Sequence, residues 1–192
     1  INTFGKKREP FLFISDFEAK NIKVIPLDEL TKEDVEFQIQ RSYTKQSYDN
    51  SIKKIPIDFK TYQEKFQKVI EEIKSGNTYL LNLTAPTKIE SSLSLKEIFQ
   101  NANANFKLRY KNEFVCFSPE SFVTIKENKI HTYPMKGTID SSLHEAKKKI
   151  LENKKEMAEH VMVVDLLRND LSIKAKNVRV ESFRYISEIE AG

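Results

Sequence analysis

The sequence contains one cysteine, Cys116, and no apolar run long enough to cross a membrane. A single cysteine excludes an internal disulfide framework and is typical of a reducing compartment. Its apolar neighbours in the stretch EFVCF predict that Cys116 is buried and unreactive. The N-terminal stretch INTFGKKREPFLFISDF also lacks the basic, apolar and small-residue order of a signal peptide. We therefore expect a cytoplasmic protein without a membrane segment.

A strong excess of one charge is also missing. The chain has 32 lysines and arginines against 28 aspartates and glutamates, for a net charge of +4. Lysines alternate with glutamates in stretches such as YQEKFQKVIEEIKSG, a pattern typical of solvated helix faces. No basic stripe with interleaved aromatic residues is present, so the sequence argues against nucleic-acid binding.

Short apolar runs between polar turns predict many strands and an α+β fold. Residues 10–17 and 21–30 predict a hairpin, and alternating apolar residues predict a strand at 34–40. Four runs between residues 106 and 135 predict an antiparallel meander with turns at YKNE and KENK. Further strands are predicted at 78–84 and 178–187, and a polar loop is predicted at 41–56.

Three helices are predicted. An apolar stripe at helical spacing predicts a helix over 58–75, with Gly76 as its C-terminal cap. A second, short helix begins after Ser94, which is a suitable N-cap residue. A third, long helix is predicted from about residue 142 to residue 169.

Three motifs stand in a specific order: SGNTYLLNLT (75–84), SPESF with PMKGT (118–138), and KKEMAEHVMVVDLLRNDL (154–171). Together they resemble the chorismate-utilising enzymes, over about residues 1–190, and most of all the aminodeoxychorismate synthase branch. The resemblance implies that family's fold, made of antiparallel sheets with packed helices. It also implies that residues 1–192 form one incomplete domain, the N-terminal part of a longer catalytic domain.

Lys136 is the residue that separates the branches of this family. Relatives that make anthranilate or isochorismate typically carry alanine at this position, whereas aminodeoxychorismate synthases carry lysine. The resemblance implies that Lys136 attacks C2 of chorismate while the C4 hydroxyl leaves, and that ammonia then adds at C4. A lysine amine is a competent nucleophile once neutral, a state that burial or nearby cations favour. The alternative is a solvated turn lysine.

Glu120 lies in SPESF, before the strand that leads to Lys136. A hairpin there would bring both side chains to one cleft. The resemblance implies that Glu120 is the general acid that protonates the departing hydroxyl. Gly137 would let backbone approach the substrate closely, and the Thr138 hydroxyl would bind a substrate carboxylate. The alternatives are a glutamate that accepts backbone hydrogen bonds and a threonine that only packs.

Glu156 and Glu159 are three residues apart and so share one helix face. Magnesium prefers few carboxylates together with water and substrate oxygens. The resemblance implies that Glu159 helps hold Mg²⁺ against the substrate carboxylate, and Glu156 is a second candidate ligand. The alternative for both is a solvated helix residue. Asp165, on the same helix, is expected to be buried and paired with Arg168.

Leu80 stands where relatives that use water as the nucleophile carry lysine, and this favours ammonia. The resemblance therefore implies component I of aminodeoxychorismate synthase, which makes 4-amino-4-deoxychorismate for para-aminobenzoate and folate synthesis. Its implied cofactor is Mg²⁺, and its ammonia would come from a glutamine amidotransferase subunit. Two alternatives stay open: component I of anthranilate synthase, and a non-catalytic fragment that only binds a partner.

Overall fold

The structure, a computed structural model, describes residues 1–39, 52–118 and 120–188. Helices and short antiparallel strands follow one another along the chain, which confirms the α+β class. The helices are α1 (Asn2–Lys7), α2 (Phe59–Lys74), α3 (Leu95–Asn101), α4 (Ala146–Glu152) and α5 (Lys154–Ser172). The strands are β1 (Phe11–Ser15), β2 (Ile22–Pro26), β3 (Val35–Ile39), β4 (Lys53–Ile55), β5 (Lys88–Glu90), β6 (Phe106–Tyr110), β7 (Phe114–Ser118), β8 (Thr124–Lys126) and β9 (Lys129–His131). Among these helices, none has the length and apolar character to cross a membrane.

The described strands form four separate antiparallel sheets. β1 pairs with β2 as predicted, β4 pairs with β5, β8 pairs with β9, and a three-stranded sheet has the order β3-β6-β7. The predicted four-strand meander is therefore wrong, although both of its turns are correct. The Ser118 hydroxyl accepts a hydrogen bond from the Glu120 N–H at 3.1 Å and donates one to the Glu120 carbonyl at 3.0 Å. This local turn takes the chain out of β7 before it can pair with β8.

The core of the described chain is small and lies where the first hairpin meets the three-stranded sheet. Leu12, Ile14 and Leu108 pack around its buried residues. The buried residues of this cluster are Ile25, Leu30, Val35 and Tyr110.

Arg109 is buried beside this core, with only 5% of its surface exposed. It lies opposite Glu36 in the β3–β6 register, and its Nε donates to Glu36 Oε1 at 2.9 Å. Its guanidinium also binds Asp34, and this hydrogen bond lowers the pKa of that carboxyl. The ion pairs tie β6 to β3, because a buried guanidinium needs partners.

Helix α2 confirms the prediction for residues 58–75. The Asp58 side chain accepts a backbone N–H in the first turn at 2.9 Å, and Gly76 follows the last turn with φ of +76°. The predicted apolar stripe is present but faces solvent. Tyr62, Phe66 and Ile73 are 41%, 45% and 37% exposed. Helix α3 also begins as predicted, because Ser94 caps it in a reciprocal pair of hydrogen bonds with Glu97.

Two predicted strands are wrong. Residues 78–84 and 178–187 form no strand, and Tyr79 and Leu80 are 93% and 53% exposed. Both segments are rich in apolar residues, but neither has a partner strand within the described residues. A strand without a partner leaves its backbone groups unpaired, so an apolar pattern alone does not produce one.

Three smaller predictions also need correction. The predicted single helix over 142–169 is two helices, α4 and α5, because Asn153 leaves the helical conformation and caps α5. Cys116 is exposed, not buried. The predicted loop at 41–56 lies outside the described residues up to residue 51, and Lys53–Ile55 forms β4.

Candidate active site

The β8–β9 hairpin carries the turn that contains Lys136. Its two-residue connection, Glu127 and Asn128, has positive φ at both positions, the geometry that matches the twist of paired strands. Beyond the paired residues, the Thr132 hydroxyl donates to the Phe122 carbonyl at 2.9 Å. The two segments of the hairpin therefore continue side by side past the ends of β8 and β9.

This continuation brings Glu120 to the segment that leads into Lys136. The Met135 N–H donates to Glu120 Oε1 at 3.3 Å. The Lys136 and Glu120 side chains are both exposed, and no salt bridge joins them in the described part of the chain. The carboxylate of Glu120 therefore contacts the backbone next to Lys136, and the Lys136 side chain extends into solvent.

Gly137 lies against the carboxylate of Glu156. Its φ is +73°, in the left-handed region that favours glycine, and a Cβ at this position would lie 2.8 Å from Glu156 Oε2. Because glycine has no side chain, position 137 leaves space for the carboxylate of Glu156. The contact places the Lys136–Thr138 turn on the first turn of α5, although Thr138 itself is exposed.

The first turn of α5 is held by Asn153. Its Oδ1 accepts the backbone N–H groups of Lys155 and Glu156 at 3.0 and 3.2 Å. This cap satisfies two backbone N–H groups that the first turn of the helix would otherwise leave unpaired. The sequence carried a signal for it, since an N-cap asparagine followed three residues later by glutamate is typical of a helix start.

Glu156 and Glu159 share one side of α5, as their spacing predicted, and are 21% and 29% exposed. The Lys155 ammonium lies 3.5 Å from Glu159 Oε1 and 4.0 Å from Glu156 Oε1. Sequence reasoning missed Lys155, although its spacing of four residues from Glu159 is typical of a helical ion pair. The lysine neutralises part of the charge of this carboxylate pair.

These two carboxylates fit a magnesium site in part. Oxygen ligands suit Mg²⁺, which commonly takes one or two carboxylates and completes its shell with water and substrate oxygens. Within residues 1–39, 52–118 and 120–188, no group of three or more acidic, histidine or cysteine side chains is arranged to bind a metal. Glu156 and Glu159 are therefore the residues from which such a site could be built here.

Two other titratable residues of α5, His160 and Asp165, have partners outside this cluster. His160 packs edge-on against Phe183, and its pKa is lowered by burial and by the nearby Arg184 cation. Asp165 binds Arg168 at 3.3 Å as predicted, but their side chains are 63% and 53% exposed, so the expected burial is wrong.

A family model described as chorismate binding enzyme matches residues 12–190. The chain therefore belongs to the chorismate binding enzyme family.

The similar curated proteins include both branches that the sequence suggested. A Haemophilus influenzae protein described as uncharacterized and PabA-like is 45% identical over 193 residues, covering 98% of this chain and 59% of the relative. Aminodeoxychorismate synthase component 1 of Escherichia coli is 30% identical over 122 residues, covering 57% of this chain and 27% of that protein. Anthranilate synthase component 1 of Archaeoglobus fulgidus is 30% identical over 141 residues, covering 66% of this chain and 34% of that protein.

The chain spans about three fifths of the length of the PabA-like relatives from Haemophilus influenzae and Pasteurella multocida. No solved structure gives a significant match to it.

Proposed function

We propose that the whole protein is component I of an aminodeoxychorismate synthase, acting in the cytoplasm. It converts chorismate and ammonia to 4-amino-4-deoxychorismate, on the route to para-aminobenzoate and folate. The observation that carries the proposal is the position of Lys136 in a glycine turn whose backbone contacts the candidate general acid, Glu120. Glu120 contacts the backbone on one side of that lysine, and Glu156 contacts Gly137 on the other.

Lys136 acts as the nucleophile in this proposal. Its neutral amine bonds to C2 of chorismate, both ring double bonds shift, and the C4 hydroxyl leaves. Glu120 donates the proton with which that hydroxyl departs as water. Ammonia then bonds to C4 and returns a proton to Glu120, both double bonds shift back, and the C2–nitrogen bond to Lys136 breaks. The sum is chorismate plus ammonia giving aminodeoxychorismate plus water.

Thr138 and the two α5 glutamates bind and orient the substrate. The Thr138 hydroxyl is exposed next to the reacting lysine, where it donates to a substrate carboxylate. Glu159 and Glu156 would hold Mg²⁺, which would supply positive charge for the same kind of group. Lys155 would give up its contacts of 3.5 and 4.0 Å to such an ion, because its own side chain is largely exposed and contacts of this kind are weak. Ammonia comes from a glutamine amidotransferase subunit.

The experiment incubates the whole protein with chorismate, Mg²⁺ and an ammonium salt and identifies the products by mass spectrometry. Lys136→Ala is the test variant. Lys126→Ala, which removes an exposed lysine of the same hairpin, is the matched control. Aminodeoxychorismate formed by the wild type and by Lys126→Ala, but reduced at least a hundredfold in Lys136→Ala, supports the proposal.

Other products would point to other functions. Anthranilate would place the protein with the relatives of that name and make Lys136 a misleading marker. No product from a well-folded whole protein would favour a binding domain without catalysis. The 192-residue chain alone is expected to give no turnover, because its described part supplies only two candidate carboxylates for the metal. Product formed by this chain alone would contradict that expectation.

A further inference from the structure

A cavity lies next to the Lys136 cluster, with Pro134 and His160 in its lining. It has a volume of about 920 Å³ and runs between the β8–β9 hairpin, α5 from His160 to Leu171, and residues 174–185. We call it the hairpin groove. None of the six candidate residues around Lys136 lines it. Its size is within the range of small-molecule sites.

The walls of the hairpin groove carry an excess of positive charge that the chain as a whole lacks. Basic and acidic residues number 32 and 28 in the sequence, but the groove has five basic residues and one acidic residue. The acidic residue is Glu181. The basic residues are Lys129, Arg168, Lys174, Lys176 and Arg179.

The one carboxylate in the groove does not cancel this excess. Glu181 lies 3.1 Å from Arg179, and this contact lowers the pKa of the carboxyl, so the pair is ionised and neutral overall. Arg168 binds Asp165 outside the groove. Lys174 and Lys176 form no salt bridge with any residue that the structure describes. Lys174 and Lys176 thus line the groove without a salt-bridge partner among the residues that the structure describes.

Apolar side chains form the floor between these cations. Ile130 comes from the hairpin, and Val164, Leu167 and Leu171 come from one side of α5. These four residues are half-buried and offer a surface on which an apolar body can displace water. A floor of this kind next to unpaired ammonium groups suits a ligand with an apolar part and an anionic part.

We propose that the hairpin groove binds a small organic anion that carries a ring and a carboxylate or phosphate group. The ring lies on Ile130 and the α5 side chains, and the anionic group lies between Lys174 and Lys176. This site is separate from the one at which Lys136 reacts.

The test measures binding of four probes to the whole protein by isothermal titration calorimetry. Phenyl phosphate and benzoate carry both features, inorganic phosphate lacks the ring, and benzyl alcohol lacks the charge. We expect one of the first two to bind at least tenfold more tightly than phosphate and benzyl alcohol. Phenyl phosphate and benzoate also distinguish a phosphate ligand from a carboxylate ligand. Equal affinity for phosphate and phenyl phosphate would overturn the proposal, because the apolar floor would then play no part.

Paired variants locate the site. Lys174→Gln with Lys176→Gln is expected to weaken binding of the preferred probe at least fivefold. Lys65→Gln with Lys68→Gln, which removes two exposed lysines of α2, should leave it unchanged. Raising the salt concentration should weaken binding to the wild type. Binding that excess chorismate abolishes, and that the groove variant retains in full, would place the probe at the Lys136 cluster and overturn the proposal.

Discussion

Substitution of Gly137 by alanine tests whether Glu156 supports the turn that carries Lys136. Two effects add. Alanine in the left-handed region costs about 1–2 kcal/mol, and the new Cβ would lie 2.8 Å from Glu156 Oε2. A contact below 3.0 Å moves one of the two groups, so either the glutamate swings away or the turn shifts. We expect an added loss of roughly 1 kcal/mol from the lost packing.

Gly76 supplies the matched control. It has nearly the same φ, +76°, but no atom within 4 Å of the position that a Cβ would take. Gly76→Ala therefore measures the backbone cost alone, about 1–2 kcal/mol. Urea unfolding followed by circular dichroism gives both free energies. The excess for Gly137→Ala over Gly76→Ala is the contribution of the contact with Glu156.

A double mutant and an activity assay complete the test. In a Glu156→Ala background, Gly137→Ala should cost no more than Gly76→Ala, because the clash is gone. Turnover should fall at least tenfold in Gly137→Ala, since a shift of the turn misplaces Lys136, and remain near wild type in Gly76→Ala. Equal costs for the two glycines, with unchanged turnover, would refute the idea that Glu156 positions the turn.

Three further predictions concern single charged or polar groups. Arg109→Met should lower the free energy of unfolding by roughly 2 kcal/mol, as measured by urea titration. The difference from wild type should shrink below about pH 4, because the pKa of Asp34 is lowered in the fold and its contribution is lost when it is protonated. Asn153→Ala should cost about 1 kcal/mol through loss of the α5 cap, visible as a lower melting temperature. A melting temperature equal to that of wild type would contradict the role of the cap. Lys155→Met should bind Mg²⁺ several-fold more tightly in calorimetry, whereas Lys154→Met, which removes a lysine without a described ion pair, should change affinity less.

Local signals in the sequence predicted the elements that depend on neighbouring residues. Asp58 and Gly76 mark the two ends of α2, and Ser94 marks the start of α3. These signals could be read because capping residues and left-handed glycines affect only the adjacent turn of the helix. The β8–β9 turn was found for the same reason. Glu156 and Glu159 were placed on one helix face by spacing alone.

Strand pairing, burial and contacts between a turn and a helix depend on distant parts of the chain, and local signals could not predict them. Residues 78–84 have the apolar composition of a strand, but a strand exists only where another one pairs with it. Cys116 has apolar neighbours, yet it lies on an edge strand and is exposed. The contact between Gly137 and Glu156 depends on where a turn meets a helix, which no local pattern reports.

The thin core leaves an unusual amount of the folded chain in contact with water. The 192-residue chain has a mass of 22.4 kDa and exposes 15982 Å², whereas a compact monomer of that mass exposes about 9,400 Å². Unfolding therefore uncovers only about seven tenths of the surface that a compact chain of this length would uncover. The denaturant slope and the heat-capacity change both scale with that newly wetted area. The chain should consequently unfold over a wide range of urea and temperature, with a shallow transition for its length.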